Sequence, residues 1–148
     1  MRISSKGRYA IAALIEMTLS ADEGQMPLVS LAGKLGISKV YLEQIFSLLR
    51  RSGIVVSSKG AQGGYSLAVT PEAITVCDIL APVELALFSA AEATVADTRP
   101  DLEAAMDKLV FAPLDQAVQN ALQSVTLATL AAEARRLQDI KTGGMYFI

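Results

Sequence analysis

The chain contains no histidine, no tryptophan and a single cysteine, Cys77, among its 148 residues. Without histidine it has no imidazole to act as a general base, no histidine-assisted serine or cysteine nucleophile, and no zinc site of the usual histidine-rich kind. We therefore predict that the protein is not an enzyme. One cysteine permits no disulfide within the chain, which fits a reducing compartment.

Charged residues are also scarce, at 19% of the chain, whereas apolar residues make up 52%. This balance is typical of a folded protein rather than a disordered one. No window of about 18 residues is continuously apolar, so we predict no membrane span and no membrane partner. The first residues lack a signal-peptide pattern. We therefore expect a cytoplasmic protein.

The net charge of −2 is unevenly distributed along the chain. Residues 1–70 hold eight Lys and Arg against four Asp and Glu, a net charge of +4, whereas residues 71–148 hold five against eleven, a net charge of −6. Clustered Lys and Arg on one face are what neutralisation of DNA phosphates requires. The first half is therefore the candidate nucleic-acid-binding part, with an ordinary solvated surface as the alternative.

Three helices are predicted in the first fifty residues. Apolar residues at helical spacing predict the first over residues 7–20. Pro27 fits the first position of a short second helix, and Gly36 ends that helix. Ser38 is a good N-cap for a third helix over residues 39–51. The core-facing stripe of this third helix is Leu42, Ile45, Phe46 and Leu49.

After the third helix the apolar pattern alternates, which predicts two strands joined by a glycine-rich turn at residues 60–64. Ile54, Val56 and Ser58 are expected on one side of the first strand, and Tyr65, Leu67 and Val69 follow in the second. A short helix, a glycine turn, an amphipathic helix and a hairpin form a winged helix-turn-helix, whose second helix binds in the DNA major groove. The predicted fold is therefore mainly α, with a two-stranded wing.

The second half is predicted to be helical as well. A short helix begins at Thr75 or the residue before it, and Pro82 stops it. From Asp101 onward the apolar pattern predicts a long amphipathic dimerisation helix with a kink or break at Pro113. Residues 124–140 are predicted to form a further helix. The expected organisation is a winged-helix domain at 1–80, a connecting and candidate sensing segment at 81–100, and the dimerisation and C-terminal helices at 101–148.

A winged helix places defined positions against DNA. Exposed residues near the start of the third helix meet base edges, where Gln pairs with adenine and Glu accepts from a cytosine amino group. Basic residues farther along this helix and around the first helix suit phosphates, and the wing tip suits the minor groove. The predicted DNA-binding residues are Arg2, Lys6, Arg8, Ser38, Lys39, Tyr41, Glu43, Gln44, Arg50, Lys59, Gly60, Gly63 and Gly64. Surface packing is the alternative for Tyr41, and a tight turn is the alternative for Gly63 and Gly64.

Three sequence blocks resemble the signature blocks of the Rrf-two family of bacterial winged helix-turn-helix transcriptional regulators. They are SSKGRYA at residues 4–10, GIS with YLEQ at 36–38 and 41–44, and KGAQGGY at 59–65. The match is close over residues 1–80 and resumes weakly near residues 113–114 and 124–127. The resemblance implies a long helix that crosses to a second subunit and a homodimer bound to an imperfect inverted repeat in double-stranded DNA. It also implies that the DNA lies against Ser38, Tyr41, Glu43, Gln44, Arg50 and Lys59.

The chain differs from the cluster-binding members of this family in its cysteines. Members that bind an iron–sulfur cluster carry three cysteines between the wing domain and the dimerisation helix, and the corresponding stretch here, roughly residues 85–112, has none. We therefore expect no cofactor and no cluster of the family's usual ligation. Cys77 is expected to be a small buried apolar residue, and a redox switch, which needs a low-pKa thiolate, is the alternative.

Together these patterns predict a sequence-specific DNA-binding regulator that occupies a promoter site as a homodimer and represses or activates transcription. An unidentified small molecule or protein is the expected effector. Two alternatives stay open, namely a winged helix that binds a protein and a metal or redox sensor with unusual ligation. Steep salt dependence of binding would distinguish DNA from a protein partner.

Overall fold

The computed structural model describes residues 3–61 and 63–146. Three helices and an antiparallel hairpin come first, and four more helices follow. The elements of the first part are α1 (Ser5–Leu19), α2 (Leu28–Leu35), α3 (Lys39–Arg51), β1 (Val55–Ser58) and β2 (Gly64–Leu67). Those of the second part are α4 (Val76–Leu80), α5 (Pro100–Met106), α6 (Ala112–Gln123) and α7 (Leu127–Tyr146). This order confirms the mainly α winged-helix prediction.

The first two helices begin and end where their capping residues dictate. The Ser4 hydroxyl accepts the backbone N–H of Gly7 at 3.2 Å and caps α1. Gly36 adopts the left-handed conformation, with φ 68°, and ends α2 as predicted. Pro27 was predicted at the first helical position of α2, but it is the N-cap, because its extended backbone leaves its carbonyl to accept the N–H of Leu31 at 3.1 Å.

A single apolar core joins α1, α2, α3 and the hairpin. The predicted stripe of α3 is confirmed, since all four of its residues have no exposed surface. Burial of each such side chain contributes about 1.5–3 kcal/mol. The largest side chains buried beneath these elements are Leu14, Leu31, Leu42, Ile45, Phe46, Leu49 and Val55.

The wing is a two-stranded sheet in which Val55 pairs with Leu67 and Ser58 pairs with Gly64. The predicted alternation was wrong in phase for β1, because Val55 is 1% exposed and Val56 is 47% exposed. Ile54 is also buried, so two consecutive apolar residues enter the core where the chain leaves α3 and bends into the strand.

A short third segment pairs with the wing from the loop before α2. Met26 and Tyr65 exchange two backbone hydrogen bonds, of 2.8 Å and 2.9 Å. The Tyr65 ring lies edge-on to Phe46, with ring centroids 5.0 Å apart. The wing is therefore held to the start of α2 by backbone and to α3 by an aromatic contact.

The C-terminal helix returns to the first core. Val76 N–H donates to Val125 at 2.9 Å and Leu127 N–H donates to Ile74 at 2.8 Å. The helix predicted from Ser124 therefore begins later, at Leu127, because Ser124 is the C-cap of α6 and Thr126 forms a β-bridge with Thr75. Leu127 is fully buried, and α7 packs along α1. The helix continues to Tyr146, beyond the predicted end at residue 140.

The long helix predicted from Asp101 is present, but it changes winding in the middle. A π-helical turn over Asp107–Phe111 connects α5 to α6. Pro113 is the second residue after this turn, and because proline has no N–H it cannot donate the α-helical bond to Leu109. The predicted irregularity at Pro113 is therefore a π turn on its N-terminal side, which is a recognised form of helix distortion.

Residues 83–99, for which no structure was predicted, form a 3₁₀ turn over Leu85–Leu87 and irregular chain. The Glu103 carboxylate of α5 accepts the backbone N–H groups of Thr94 and Val95, at 3.2 Å and 2.9 Å. No helix in the described part of the chain is long and apolar enough to cross a membrane.

Candidate nucleic-acid interface

The candidate interface centres on α3, whose two faces are sharply different. Ser38 fixes the first turn, because its hydroxyl accepts the backbone N–H of Tyr41 at 3.1 Å. The apolar stripe then faces the core, which directs the other residues outward. The exposed residues of this opposite face are Lys39, Val40, Glu43, Gln44, Arg50 and Arg51.

An ion pair links two of the predicted DNA-contacting residues. Lys39 Nζ lies 3.4 Å from Glu43 Oε1, one helical turn away, and both side chains are about half exposed. Such a surface pair contributes at most about 0.5 kcal/mol. Its main consequence is electrostatic, because the Lys39 charge offsets a carboxylate that would otherwise repel phosphates.

The first turn of α1 extends this face. Lys6 lines one shallow depression together with α3 residues, among them Val40, Gln44 and Arg51. Arg8 is exposed and lines a separate depression with Ser5 and Tyr9. Lys6 therefore lies beside the residues predicted to meet base edges, although it is more than thirty residues away in sequence.

Tyr41 has an intramolecular contact of its own. Its ring lies edge-on to Tyr9, with ring centroids 5.9 Å apart and an interplanar angle of 87°. The residue is half-buried, so the ring helps to fix α3 against α1. The alternative of surface packing thus describes at least part of what Tyr41 does, and its contact with DNA stays a prediction.

The turn of the wing depends on its glycines. Lys59 and Gly60 are exposed at the turn, and Gly60 has φ 110°. A Cβ on Gly63 would lie 2.6 Å from the Ser58 carbonyl oxygen. A Cβ on Gly64 would lie 2.6 Å from the carbonyl oxygen of Met26, which pairs with the wing. These three glycines therefore have structural reasons to be there, independent of any contact with DNA.

Most of the described cations of the first half have no carboxylate partner. Lys34, on α2, is engaged by Glu16 at 3.4 Å and Glu23 at 3.7 Å. Arg2 is outside the described residues. Within residues 3–61 and 63–146, no carboxylate lies within 4.0 Å of five cations of the first half, which are Lys6, Arg8, Arg50, Arg51 and Lys59.

The geometry is that of a winged helix-turn-helix, and comparison with known proteins defines its family. A sequence profile of Rrf2, described as an iron-dependent transcriptional regulator, matches residues 3–133. The chain belongs to the Rrf2 family. This result confirms the resemblance found in the three sequence blocks.

Several Rrf2 relatives named HTH-type transcriptional regulator IscR are similar to this chain. IscR of Erwinia tasmaniensis is 35% identical over 133 residues, which are 88% of this chain and 78% of that protein. IscR of Vibrio cholerae is 31% identical over 141 residues, which are 93% of this chain and 79% of that protein. The alignment with IscR of Aliivibrio salmonicida, at 44% identity, spans 57% of this chain and only 50% of that relative.

Solved Rrf2 structures share the fold. CymR, the global cysteine regulator of B. subtilis, superposes with a TM-score of 0.74 at 35% identity, covering 90% of this chain and 98% of CymR. IscR of T. potens superposes with a TM-score of 0.73 at 33% identity, covering 93% and 91%. These comparisons confirm the predicted winged-helix fold. They also confirm the prediction of a DNA-binding transcriptional regulator rather than an enzyme.

The donor set for an iron–sulfur cluster is incomplete in this Rrf2 chain. Such clusters are held by cysteine thiolates, with histidine as an occasional substitute, and the chain offers one cysteine and no histidine. In the described part of the chain no three Cys, Asp or Glu side chains converge as metal ligands. The residues present therefore do not fit a cluster of that ligation.

Cys77 lies on α4 and is half-buried. Burial and then the neighbouring Asp78 carboxylate raise the pKa of its thiol above the ordinary value. Asp78 is itself fixed, since it accepts the backbone N–H of Thr75 at 2.9 Å in a capping box. A redox-active thiolate requires the opposite shift, so the local electrostatics do not favour the switch considered as an alternative.

One buried residue that sequence reasoning did not identify is Glu84, which is only 9% exposed. Its carboxylate contacts Ser4, the N-cap of α1. The two residues are 80 positions apart, so no local pattern could have paired them. The only sequence signal was an acidic residue within an otherwise apolar stretch.

Proposed function

We propose that this protein is a cytoplasmic homodimer that binds an inverted-repeat operator in double-stranded DNA and thereby represses or activates transcription. The observation that supports this most is the exposed face of α3, which the Lys6 side chain extends. In a winged-helix dimer, two such helices enter successive major grooves about one DNA turn apart.

The contacts divide into those with bases and those with phosphates. Gln44 and Glu43 are exposed on the first turns of α3, where an amide pairs with adenine and a carboxylate accepts from cytosine. Ser38, Lys39 and Tyr41 lie around the same turn and complete the base-contacting group. The residues proposed to contact phosphates are Arg2, Lys6, Arg8 and Arg50, and Lys59 with Gly60 at the wing tip contacts the minor groove.

Dimerisation is proposed to use the long helix of α5, the π turn and α6. No residue of these three elements is buried within one chain. Leu109 is 74% exposed, Leu114 is 55% exposed and Val110 is 51% exposed. Exposed apolar side chains concentrated on one helix are typical of a surface that a partner covers.

We further propose that the protein works without an iron–sulfur cluster and responds to another effector, a small molecule or a protein. Anaerobic expression and purification test this directly, through visible absorption and iron content. A colourless, iron-free protein that still binds its operator is expected. A coloured protein with stoichiometric iron would overturn this part of the proposal.

The function is tested by selecting bound fragments from random-sequence DNA with the purified protein at physiological salt. An inverted repeat with two related half-sites is expected. On that operator, Gln44→Ala should change the base preference within each half-site, at a cost of about 1–3 kcal/mol. Lys59→Ala should instead weaken all sequences alike and reduce the salt dependence of binding.

Lys141→Ala is the matched control, because Lys141 is an exposed lysine on α7. It should leave both base preference and salt dependence unchanged. If Gln44→Ala and Lys59→Ala behave like this control, α3 and the wing are not the DNA-contacting elements. Recovery of no specific sequence, with or without cell-derived small molecules, would favour a winged helix that binds a protein.

A further inference from the structure

We infer that Glu84 is a positioning residue for DNA binding, which holds the N-terminal turn of α1 and with it Lys6 and Arg8. This inference rests on the proposed function for its DNA-binding consequence. The contact itself is a feature of the fold and is tested separately.

The contact joins two distant parts of the chain. The Ser4 backbone N–H donates to Glu84 Oε1 at 2.7 Å, and the Ser4 hydroxyl also contacts that oxygen. The same hydroxyl accepts the N–H of Gly7, so Glu84, Ser4 and the first turn of α1 form one hydrogen-bonded chain. Hydrogen bonds to a carboxylate are stronger than those between neutral groups.

Electrostatics favour a carboxylate at this point. The N-terminus of a helix carries a partial positive charge, which a nearby anion stabilises. No acidic residue lies in the first turn of α1 itself. Glu84, in the segment that follows α4, therefore supplies the negative charge that the first turn of α1 lacks.

The Glu84 carboxylate lies close to the backbone of α1 at Gly7. A Cβ on Gly7 would collide with the Glu84 carboxylate and would lie 2.9 Å from the Ile3 side chain. Gly7 is helical and does not need the conformational freedom of glycine, so close approach of this carboxylate explains why a glycine suits the position.

The position of Glu84 connects this contact to the second half of the chain. Its backbone N–H donates to Leu80 of α4 at 2.7 Å, and the 3₁₀ turn of Leu85–Leu87 follows at once. Glu84 thus lies at the start of the segment that leads to the long helix. Movement of that segment would withdraw the carboxylate from Ser4 and release the turn that presents Lys6 and Arg8.

The test compares Glu84→Gln with Glu92→Gln, which removes the same charge from an exposed residue of the same segment. Loss of a negative charge alone should strengthen DNA binding slightly, as expected for Glu92→Gln. If Glu84 positions the turn, Glu84→Gln should instead weaken operator binding, on the order of tenfold. Ser4→Ala, which removes the hydroxyl from the other side, should act in the same direction.

The salt dependence separates positioning from general damage to the fold. A dimer that loses the Lys6 and Arg8 phosphate contacts of both subunits should lose up to about 3.6 from the slope of log affinity against log salt. Glu84→Gln should reduce the slope, keep the base preference of the operator, and add little to the effect of a variant that carries both Lys6→Ala and Arg8→Ala. An unchanged slope, or a full additional loss from Glu84→Gln in that variant, would overturn the positioning role.

Amide hydrogen exchange tests the contact without DNA. Exchange at Ser4, Gly7 and Arg8 should be faster in Glu84→Gln than in the wild type or Glu92→Gln, with the rest of α1 unchanged. Unchanged exchange at these amides would show that the contact does not hold the turn. If the wild type binds no duplex DNA, the proposed function fails, while these exchange rates still decide whether Glu84 holds the turn.

Discussion

The two regions of the molecule treat their apolar residues in opposite ways. Around α1 to α3 the apolar stripe is closed by the chain itself, and Phe46 has no exposed surface. From α5 to α6 the same kind of amphipathic pattern buries no residue at all, and Phe111 is 40% exposed. The apolar residues of the first region are covered by other parts of the same chain. Those of the second region lie on an amphipathic helix whose apolar side chains stay exposed in the single chain.

This difference assigns different tasks to the two regions. A closed core makes the position of α3 rigid, which a surface that distinguishes base edges requires. An open apolar helix acquires its packing only when another surface covers it, so its order depends on protein concentration. The following experiments test this difference, from the largest expected effect to the smallest.

The largest effect is expected from truncating the aromatic residue at the centre of the first core. Phe46→Ala should lower the free energy of unfolding by about 3–5 kcal/mol, because it removes a fully buried ring and leaves a cavity. The matched change Phe111→Ala should cost less than about 1 kcal/mol in dilute protein. Urea unfolding followed by circular dichroism measures both. Equal losses would mean that the two regions are packed alike.

The next effect concerns association through the long helix. Leu109→Glu places a charge among exposed apolar side chains and should raise the dimer dissociation constant at least about tenfold, since a buried unpaired charge is costly. Leu85→Glu is the control, because Leu85 is equally exposed, at 77%, but lies outside this helix. Analytical ultracentrifugation provides the measurement. A dimer that survives Leu109→Glu intact would place the interface elsewhere.

Helix caps provide a smaller and sharper comparison. Ser38→Ala should cost about 1 kcal/mol of unfolding free energy, because α3 loses its N-cap. Thr126→Ala should cost a similar amount, since the Thr126 hydroxyl accepts the Thr129 N–H at 3.1 Å and the adjacent Leu127 is buried in the first core. Thermal unfolding measures both. A negligible effect of Thr126→Ala would indicate that α7 does not unfold together with the core of α1 to α3.

The smallest effect is a local dependence on pH in the second region. Hydrogen bonds from the Val95 and then the Thr94 backbone N–H groups hold the pKa of Glu103 below its ordinary value of 4.5. Because the folded pKa is lowered, this stabilisation is present above the ordinary pKa and is lost as the pH falls through the lowered value. Amide exchange at Val95 and Thr94 should therefore accelerate below pH 4.5, after correction for intrinsic rates. Glu103→Gln should abolish that pH dependence, and persistence of the dependence in this variant would assign it to another group.

Sequence reasoning succeeded where the signal was local and periodic. The stripe of α3, its cap at Ser38 and the end of α2 at Gly36 all follow from residues within one or two turns. The phase of β1 could not be predicted, because the bend after α3 buries Ile54 and Val55 together. Short strands offer too few residues to reveal such a break in alternation.

Most residues of the candidate interface could be predicted from the sequence, but the long-range contacts that hold them in place could not. The exposed residues of α3 follow from the helical period once the buried stripe is known. The packing of Lys6 beside α3, the clearance needed at Gly64 and the contact of Glu84 with Ser4 each join distant segments. Such contacts depend on the assembled fold, which no single segment of sequence specifies.

The π turn of residues 107–111 has a consequence for the phase of the long helix. Apolar residues recur there at every fourth position, and on a straight α-helix of 3.6 residues per turn such a series rotates by about 40° at each step. A π turn contains more residues per turn, so it winds back part of that rotation. The π turn therefore brings these apolar residues closer to a single face of the long helix. The residues are Leu102, Met106, Val110, Leu114, Val118 and Leu122.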